Sequence, residues 1–207
     1  MISLPLEKVH ENLGARMAPF AGFRMPIQYK GILVEHAAAR SACALFDTSH
    51  MGELEVRGAT ALADLEKLVS RNLASLKPNR CRYGLLCNPD GGVLDDLLVY
   101  RTGPEEFMLV VNGACRDKDA KWISEHLSGS TRFRDVSENL CKIDVQGPDA
   151  PRVTRTLVDD DIAELRFYHF MHTTYRGRKV LVSRTGYTGE IGYEIYCDAE
   201  TAERFWG

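Results

Sequence analysis

The chain has 207 residues, 44% of them hydrophobic and 27% charged, which fits a folded globular protein and excludes a disordered one. Its formal net charge of -3 excludes the broad grip on phosphates that duplex nucleic-acid binding needs. No apolar run approaches the roughly 20 residues that cross a bilayer, and the N-terminal "MISLPLEKVHENLGARM" carries acids and no apolar signal core, so a cytoplasmic location is expected.

In chain order, "PLEKVHENLGA" predicts a short amphipathic helix and "GILVEHAAARSACA" a second, alanine-rich one. "LFDTSHMGELEVRG" alternates from Met51 onward, which puts Met51, Glu53, Glu55 and Arg57 on one strand face and Leu54 and Val56 on the other. "ATALADLEKLVSRNLASL" then spaces Leu62, Leu65, Leu68 and Val69 as a helix does. "CRYGLLCN", "PDGG" and "VLDDLLVYR" read as strand, turn and strand, a hairpin by its turn chemistry. "EFMLVVN" adds a strand, followed by the helix "CRDKDAKWISEHL" and a short strand. Beyond it come a strand and short helix in "CKIDVQGPDAPRVTRTL", strands around 167–172 and 179–184, the glycine-rich "SRTGYTGEIGYEIY" and the amphipathic "AETAERFWG". Strands that cluster with helices without strictly alternating with them predict an α+β fold with antiparallel sheets.

Several common site chemistries find no support. The six cysteines lack a CxxC pair, which argues against a zinc site and a disulfide framework and leaves them as small buried hydrophobes. His169 and His172 form an HxxH, but on a predicted strand a three-residue spacing puts them on opposite faces, so no metal is expected. Asp90, Asp95 and Asp96 lack the alternating oxygen ligands of a calcium loop. In "GYTGEIG" the glycines are wrongly spaced for a dinucleotide fingerprint, and a strand follows them.

Two stretches carry candidate chemistry. In "GGVLDDLLVY", strand alternation puts Asp96, Leu98 and Tyr100 on one face and Asp95, Leu97 and Val99 on the other. A carboxylate sharing a face with an aromatic ring suits a polar heteroaromatic ligand; the alternative is that both aspartates cap the hairpin. After the turn holding Tyr187 and Thr188, the residues Glu190, Gly192, Glu194 and Tyr196 share a face. Gly192 leaves room beside Glu194, whose carboxylate can accept two parallel hydrogen bonds from an amidine-like edge such as that of a pterin. The alternative is a solvated glutamate on an exposed face.

The blocks "FAGFRMPIQY", "EHAAAR", "LFDTSHMGE", "NPDGGVLDDLLVY", "LVVN" with "RDKD", "VQGPDA" and "SRTGYTGEIGYE" follow one another along the chain. In that order and spacing the sequence resembles the glycine cleavage system T-protein (aminomethyltransferase) family, in its N-terminal portion. The resemblance implies a folate-binding aminomethyltransferase-like fold of two intertwined domains with mainly antiparallel sheets flanked by helices. A discontinuous first domain would comprise 1–47 and 141–207, with 48–140 as the insert, and the family's chain continues into a C-terminal β-barrel domain absent here.

The resemblance also implies an activity: transfer of the one-carbon unit from the aminomethyl-lipoyl arm of the H-protein to tetrahydrofolate, giving 5,10-methylenetetrahydrofolate and ammonia. Asp96, the second aspartate of the GG-x-x-DD motif, would be the key acidic catalytic residue, and Met51, Tyr83, Asp96, Tyr100, Tyr187 and Glu194 would contact tetrahydrofolate. Asp95 and Glu190 would be structural. Other folate-dependent demethylase or dehydrogenase domains, and a non-catalytic folate-binding module, are the alternatives.

Overall fold

A computed structural model describes residues 1–206. In chain order the first elements are β1 (Ile2–Ser3), α1 (Glu7–Asn12), β2 (Arg16–Phe20), β3 (Phe23–Gln28), α2 (Ile32–Ser41), β4 (Ala44–Asp47), β5 (Gly52–Arg57), α3 (Ala61–Leu68), β6 (Arg80–Cys87), β7 (Val93–Gly103) and β8 (Glu106–Val111). They are followed by α4 (Arg116–Glu125), β9 (Arg132–Asp135), β10 (Cys141–Gln146), α5 (Ala150–Thr154), β11 (Phe170–Tyr175), β12 (Arg178–Ser183), β13 (Gly192–Cys197) and α6 (Ala199–Trp206). The chain divides into two compact units, Met1–His50 with Asn139–Gly207, and Met51–Glu138. The fold is α+β, and its strands pair antiparallel except for β1 with β3.

The unit Met51–Glu138 is built on one sheet of order β6-β7-β8-β5-β9. One face of it carries Leu97, Val99, Leu109 and Val111, which cluster with Leu65 and Leu68 of α3 and Ile123 of α4. Each such side chain, fully buried, contributes roughly 1.5–3 kcal/mol over its exposed state, so this face anchors both helices. The β6–β7 turn is closed by Asn88, whose Oδ1 accepts the backbone N–H groups of Asp90 at 3.1 Å and Gly92 at 2.7 Å. The hairpin cap is therefore an asparagine, and Asp95 and Asp96 are not needed for it.

The other unit holds a five-stranded sheet of order β11-β12-β13-β10-β4 and a three-stranded one of order β1-β3-β2. Ile143, Val145, Val182 and Ile195 of the larger sheet cluster with Ala202 and Phe205 of α6, whose two-turn amphipathic pattern was expected from sequence. Among the described residues no helix is long and apolar enough to cross a membrane.

Several elements differ from expectation. The β2–β3 hairpin was not predicted; each strand contains a proline, Pro19 or Pro26, which weakens a strand reading. Its turn is Ala21-Gly22, both at positive φ (51° and 84°), the geometry usually signalled by Asn-Gly. The strand expected around 167–172 runs from Phe170 to Tyr175, because Tyr168 turns at φ 59° and the His169 N–H donates to the Arg166 carbonyl. His169 thus lies in a turn, and the HxxH does not sit on one strand. Glu53, placed by alternation on the polar face, is buried at 1% exposure because β5 is an interior strand with Glu53 opposite Val110. All six cysteines are free thiols; Cys81, Cys141 and Cys197 are buried, whereas Cys43, Cys87 and Cys115 are only half-buried.

Candidate functional site

The Met51–Glu138 unit places the Asp-Asp pair on β7, and alternation sends the two carboxylates to opposite faces. Asp95 lies on the face of Leu97 and Val99, the one covered by helices. Asp96 lies on the other face and is exposed. Asn112, just past the end of β8, joins them. Its Nδ2 donates to Asp95 Oδ1 at 3.0 Å, to Asp96 Oδ1 at 2.9 Å and to the Asp96 carbonyl at 3.1 Å, and its backbone N–H reaches Asp95 Oδ2 at 3.3 Å. Burial pushes the Asp95 carboxyl up, but its neighbour Asp119 and the bonds from Asn112 and the Asp96 backbone outweigh it and hold Asp95 below its ordinary value. Asp96 is the carboxylate this network presents to solvent.

On the same face, register sets Leu85 opposite Asp96, Tyr83 opposite Leu98, Val110 opposite Leu98, and Cys81 and Met108 on either side of Tyr100. Tyr83 is 45% exposed, while Tyr100 is fully buried. Asp96 and Tyr100 are four residues apart, about 13 Å along a strand, with Leu98 between them. The aromatic ring that shares the accessible part of this face with Asp96 is that of Tyr83. Met51 opens the unit ahead of β5 and is half-buried.

The ligand atoms of Asp95, Cys115 and Asp119 lie within 4.8 Å of one another. The Lys118 ammonium, 3.0 Å from Asp119 Oδ1, already supplies a cation there. A shallow surface concavity of the same unit, lined by Lys67, Leu68, Cys87, Pro89, Trp122 and His126, contains none of the candidate residues.

In the other unit, Glu194 of β13 stands opposite Asp144 of β10. Lys142 Nζ lies 2.9 Å from Glu194 Oε1 and 2.7 Å from Asp144 Oδ1, and all three side chains are buried. Glu194 Oε2 accepts the hydroxyls of Thr185 at 2.6 Å and Tyr196 at 3.2 Å, and Thr48 Oγ1 donates to Asp144 Oδ1 at 3.0 Å. Burial works against the Lys142 charge, yet the Asp144 and Glu194 carboxylates hold its ammonium above its ordinary value. Burial pushes Asp144 up to about 6, with Glu194 adding to that and Lys142 opposing it. Glu194 is therefore neither solvated nor beside an open space.

The room expected beside Gly192 is filled by the Gln146 side chain. A Cβ at Gly192 or at Gly186, which has φ 151°, would overlap Gln146, so two of the motif's glycines admit this side chain. Gln146 Nε2 donates to the Thr185 carbonyl at 3.3 Å, and its Oε1 accepts Thr188 Oγ1 at 2.9 Å. Arg40 ties down the same loop through the Thr188 carbonyl at 2.5 Å and Glu190 at 3.0 Å. This pinned loop leaves Tyr187 81% exposed.

Asn112, Asp119, Lys142, Gln146 and Thr185 escaped single-residue reading. Only the recurrence of "LVVN", "RDKD", "VQGPDA" and "SRTG" in the resemblance flagged their neighbourhoods. Their partners are set by strand register and helix packing, which composition and spacing do not carry.

A family model described as GCVT N-terminal domain matches residues 6–207. An aminomethyltransferase of Geobacillus kaustophilus is 46% identical over 203 residues, covering 98% of this chain and 56% of the relative. A solved structure, the glycine cleavage system aminomethyltransferase T from Bartonella henselae, superposes with a TM-score of 0.89 at 32% identity, covering 99% of this chain and 57% of that one. A heterotetrameric sarcosine oxidase from Corynebacterium shares the fold at a TM-score of 0.61 and 20% identity, over 98% of this chain and 91% of that one. The chain spans about half the length of the curated relatives it matches.

Proposed function

The chain belongs to the GCVT N-terminal domain family, that of the glycine cleavage aminomethyltransferases, and from that premise we propose that it is the tetrahydrofolate-binding portion of an aminomethyltransferase. The reaction moves the one-carbon unit from an aminomethyl group on the lipoyl arm of the H-protein to tetrahydrofolate. The products are 5,10-methylenetetrahydrofolate, ammonia and the H-protein's lipoyl arm in its dithiol form, and the setting is the cytoplasm.

The observation that carries this reading is the presentation of Asp96. Its carboxylate is solvent-exposed at a strand position, oriented by the Asn112 amide at 2.9 Å, on a face that also carries the half-exposed Tyr83 ring. In the reaction the folate N5 attacks an electrophilic CH2 while an amine or thiol leaves. A fixed carboxylate beside it orients the folate N–H groups and stabilises positive charge as it develops. Asp96 is assigned that role, and Met51, Tyr83, Tyr100, Tyr187 and Glu194 are assigned as folate contacts, each within its own unit. For Tyr100 and Glu194 burial makes the contribution one of shaping the contact surface through their neighbours.

The test is calorimetric titration of the chain with 5-formyltetrahydrofolate, alongside Asp96→Ala. Binding by the parent chain that is lost in the variant supports the assignment. Equal binding by both would remove Asp96 from the site, and no binding by a folded parent chain would remove the folate reading from this portion of the family.

A further inference from the structure

We propose that Asp119, acting as a carboxylic acid that donates to the Asp95 carboxylate, is a positioning residue that fixes Asp96 through Asn112. The role assigned to Asp96 rests on the folate reading above; the linkage itself does not.

Asp119 sits on α4 four residues before Ile123, so the two share a helix face, and both are fully buried. That face lies over the side of the sheet where Asp95 stands beside Leu97 and Val99. Asp119 and Asp95 bring carboxyl oxygens within 4.8 Å of each other. Two carboxylates that close, one of them buried, do not both ionise freely. The groups facing Asp119 are Asp95 from β7, the Cys115 thiol from the turn before α4, and Lys118 from α4 itself. Lys118 is the sole cation among these, and it is half-exposed and shared with the Leu94 carbonyl at 2.5 Å.

Burial, and after it the neighbouring Asp95, push the Asp119 carboxyl up to about 7, while Asp95 is held low. Both Asp119 carboxyl oxygens are buried and accept no hydrogen bond, so the proton of the pair is placed on Asp119. Asp95 is then purely an acceptor, and it takes both the backbone N–H and the Nδ2–H of Asn112. That grip turns the Nδ2 edge of the amide toward Asp96 on the opposite face. The chain Asp119, Asp95, Asn112, Asp96 thus links the helix-covered face of the sheet to its accessible one. When Asp119 loses its proton, the added charge repels Asp95 and loosens the Asn112 amide.

The first readout needs no ligand. In the 207-residue chain, the side-chain amide resonances of Asn112 are expected to shift between pH 5.5 and 8.5 with a midpoint near 7, together with one aspartate carboxyl carbon. Asp119→Asn keeps a donor toward Asp95 and an acceptor toward Lys118 at every pH, so this transition should disappear while the low-pH amide position is kept. An Asn112 signal that does not move in the parent chain, or moves equally in Asp119→Asn, overturns the proposal. The second readout is affinity for 5-formyltetrahydrofolate, which should fall about fivefold or more from pH 6 to 8 in the parent and stay flat in Asp119→Asn, as expected for coupled carboxyls. A pH-dependent affinity that persists in Asp119→Asn also overturns it. Absence of folate binding at every pH would count against the folate reading alone, because the amide transition is read without folate.

Discussion

Asp144 and Glu194 face each other directly across the β10–β13 register, and one ammonium, that of Lys142, lies 2.7 and 2.9 Å from them. Like charges opposed on neighbouring strands repel, so the pairing depends on the lysine. Lys142→Met is expected to remove the cation while keeping volume. It leaves two buried carboxylates uncompensated and should cost about 3–5 kcal/mol at neutral pH. Because burial already pushes Asp144 up to about 6, the variant should recover stability as pH is lowered and that carboxyl takes a proton. Urea unfolding at pH 7.5 and 5.5 measures both; a loss below about 1 kcal/mol at pH 7.5 would show that the lysine is not what holds the pair.

The glycine pattern of "GYTGEIG" follows from Gln146. A methyl group at Gly192 overlaps the Gln146 side chain, which would have to leave and release the Thr185 carbonyl and Thr188 hydroxyl. Gly192→Ala should therefore destabilise by about 1–3 kcal/mol, and adding Gln146→Ala should return part of that loss, since the clash goes with the side chain. A double-mutant cycle in denaturant gives the coupling. Additive losses would mean that the glycine serves the backbone and not its neighbour.

Asp96 is exposed and its backbone belongs to a regular strand, so Asp96→Asn should leave the melting temperature unchanged. Its affinity for 5-formyltetrahydrofolate should fall at least about tenfold, or roughly 1.4 kcal/mol. Differential scanning fluorimetry and calorimetric titration of the same sample separate the two effects. Unchanged affinity would sink the role given to its charge.

The division of the β7 face was legible because a period of two needs only the strand and one buried face: Leu97 and Val99 fall in the core and Asp96 on the other side. The β6–β7 hairpin was legible from "PDGG", although Asn88, one residue earlier, turned out to close it. The surroundings of Glu194 were not legible. Lys142 comes from a strand about fifty residues earlier in the chain, and nothing local announces that β10 and β13 pair with Asp144 opposite Glu194. Gly192 was read as leaving room for a ligand beside Glu194, but Gln146 fills that room, placed there by the same unseen register. Glu53 failed for a related reason: alternation names two faces without saying that both are buried. The "RDKD" helix start could not point to Asp95, because that contact depends on how α4 lies over the sheet.

Asp64 provides a test of pH dependence away from the candidate site. Its Oδ2 accepts the Thr131 hydroxyl at 2.6 Å, the Ser128 hydroxyl at 2.8 Å and the Ser128 backbone N–H at 3.0 Å, tying α3 to the loop before β9. Burial pushes its carboxyl up, but these bonds, with Lys67, outweigh it and hold Asp64 at about 2, against an ordinary value of 3.8. A carboxyl depressed on folding contributes stability that is present above 3.8 and lost as pH falls toward 2. Asp64→Asn retains a neutral acceptor and loses the charge-assisted part, so it should cost about 1–3 kcal/mol at pH 7. The gap between parent and variant should narrow steadily between pH 4 and pH 2, where the parent's own carboxylate is protonated. Urea midpoints of both proteins at pH 7, 4 and 2.5 measure the gap. A gap that stays constant to pH 2.5 would mean that shape at this position, and not the charge of Asp64, holds the loop to the helix.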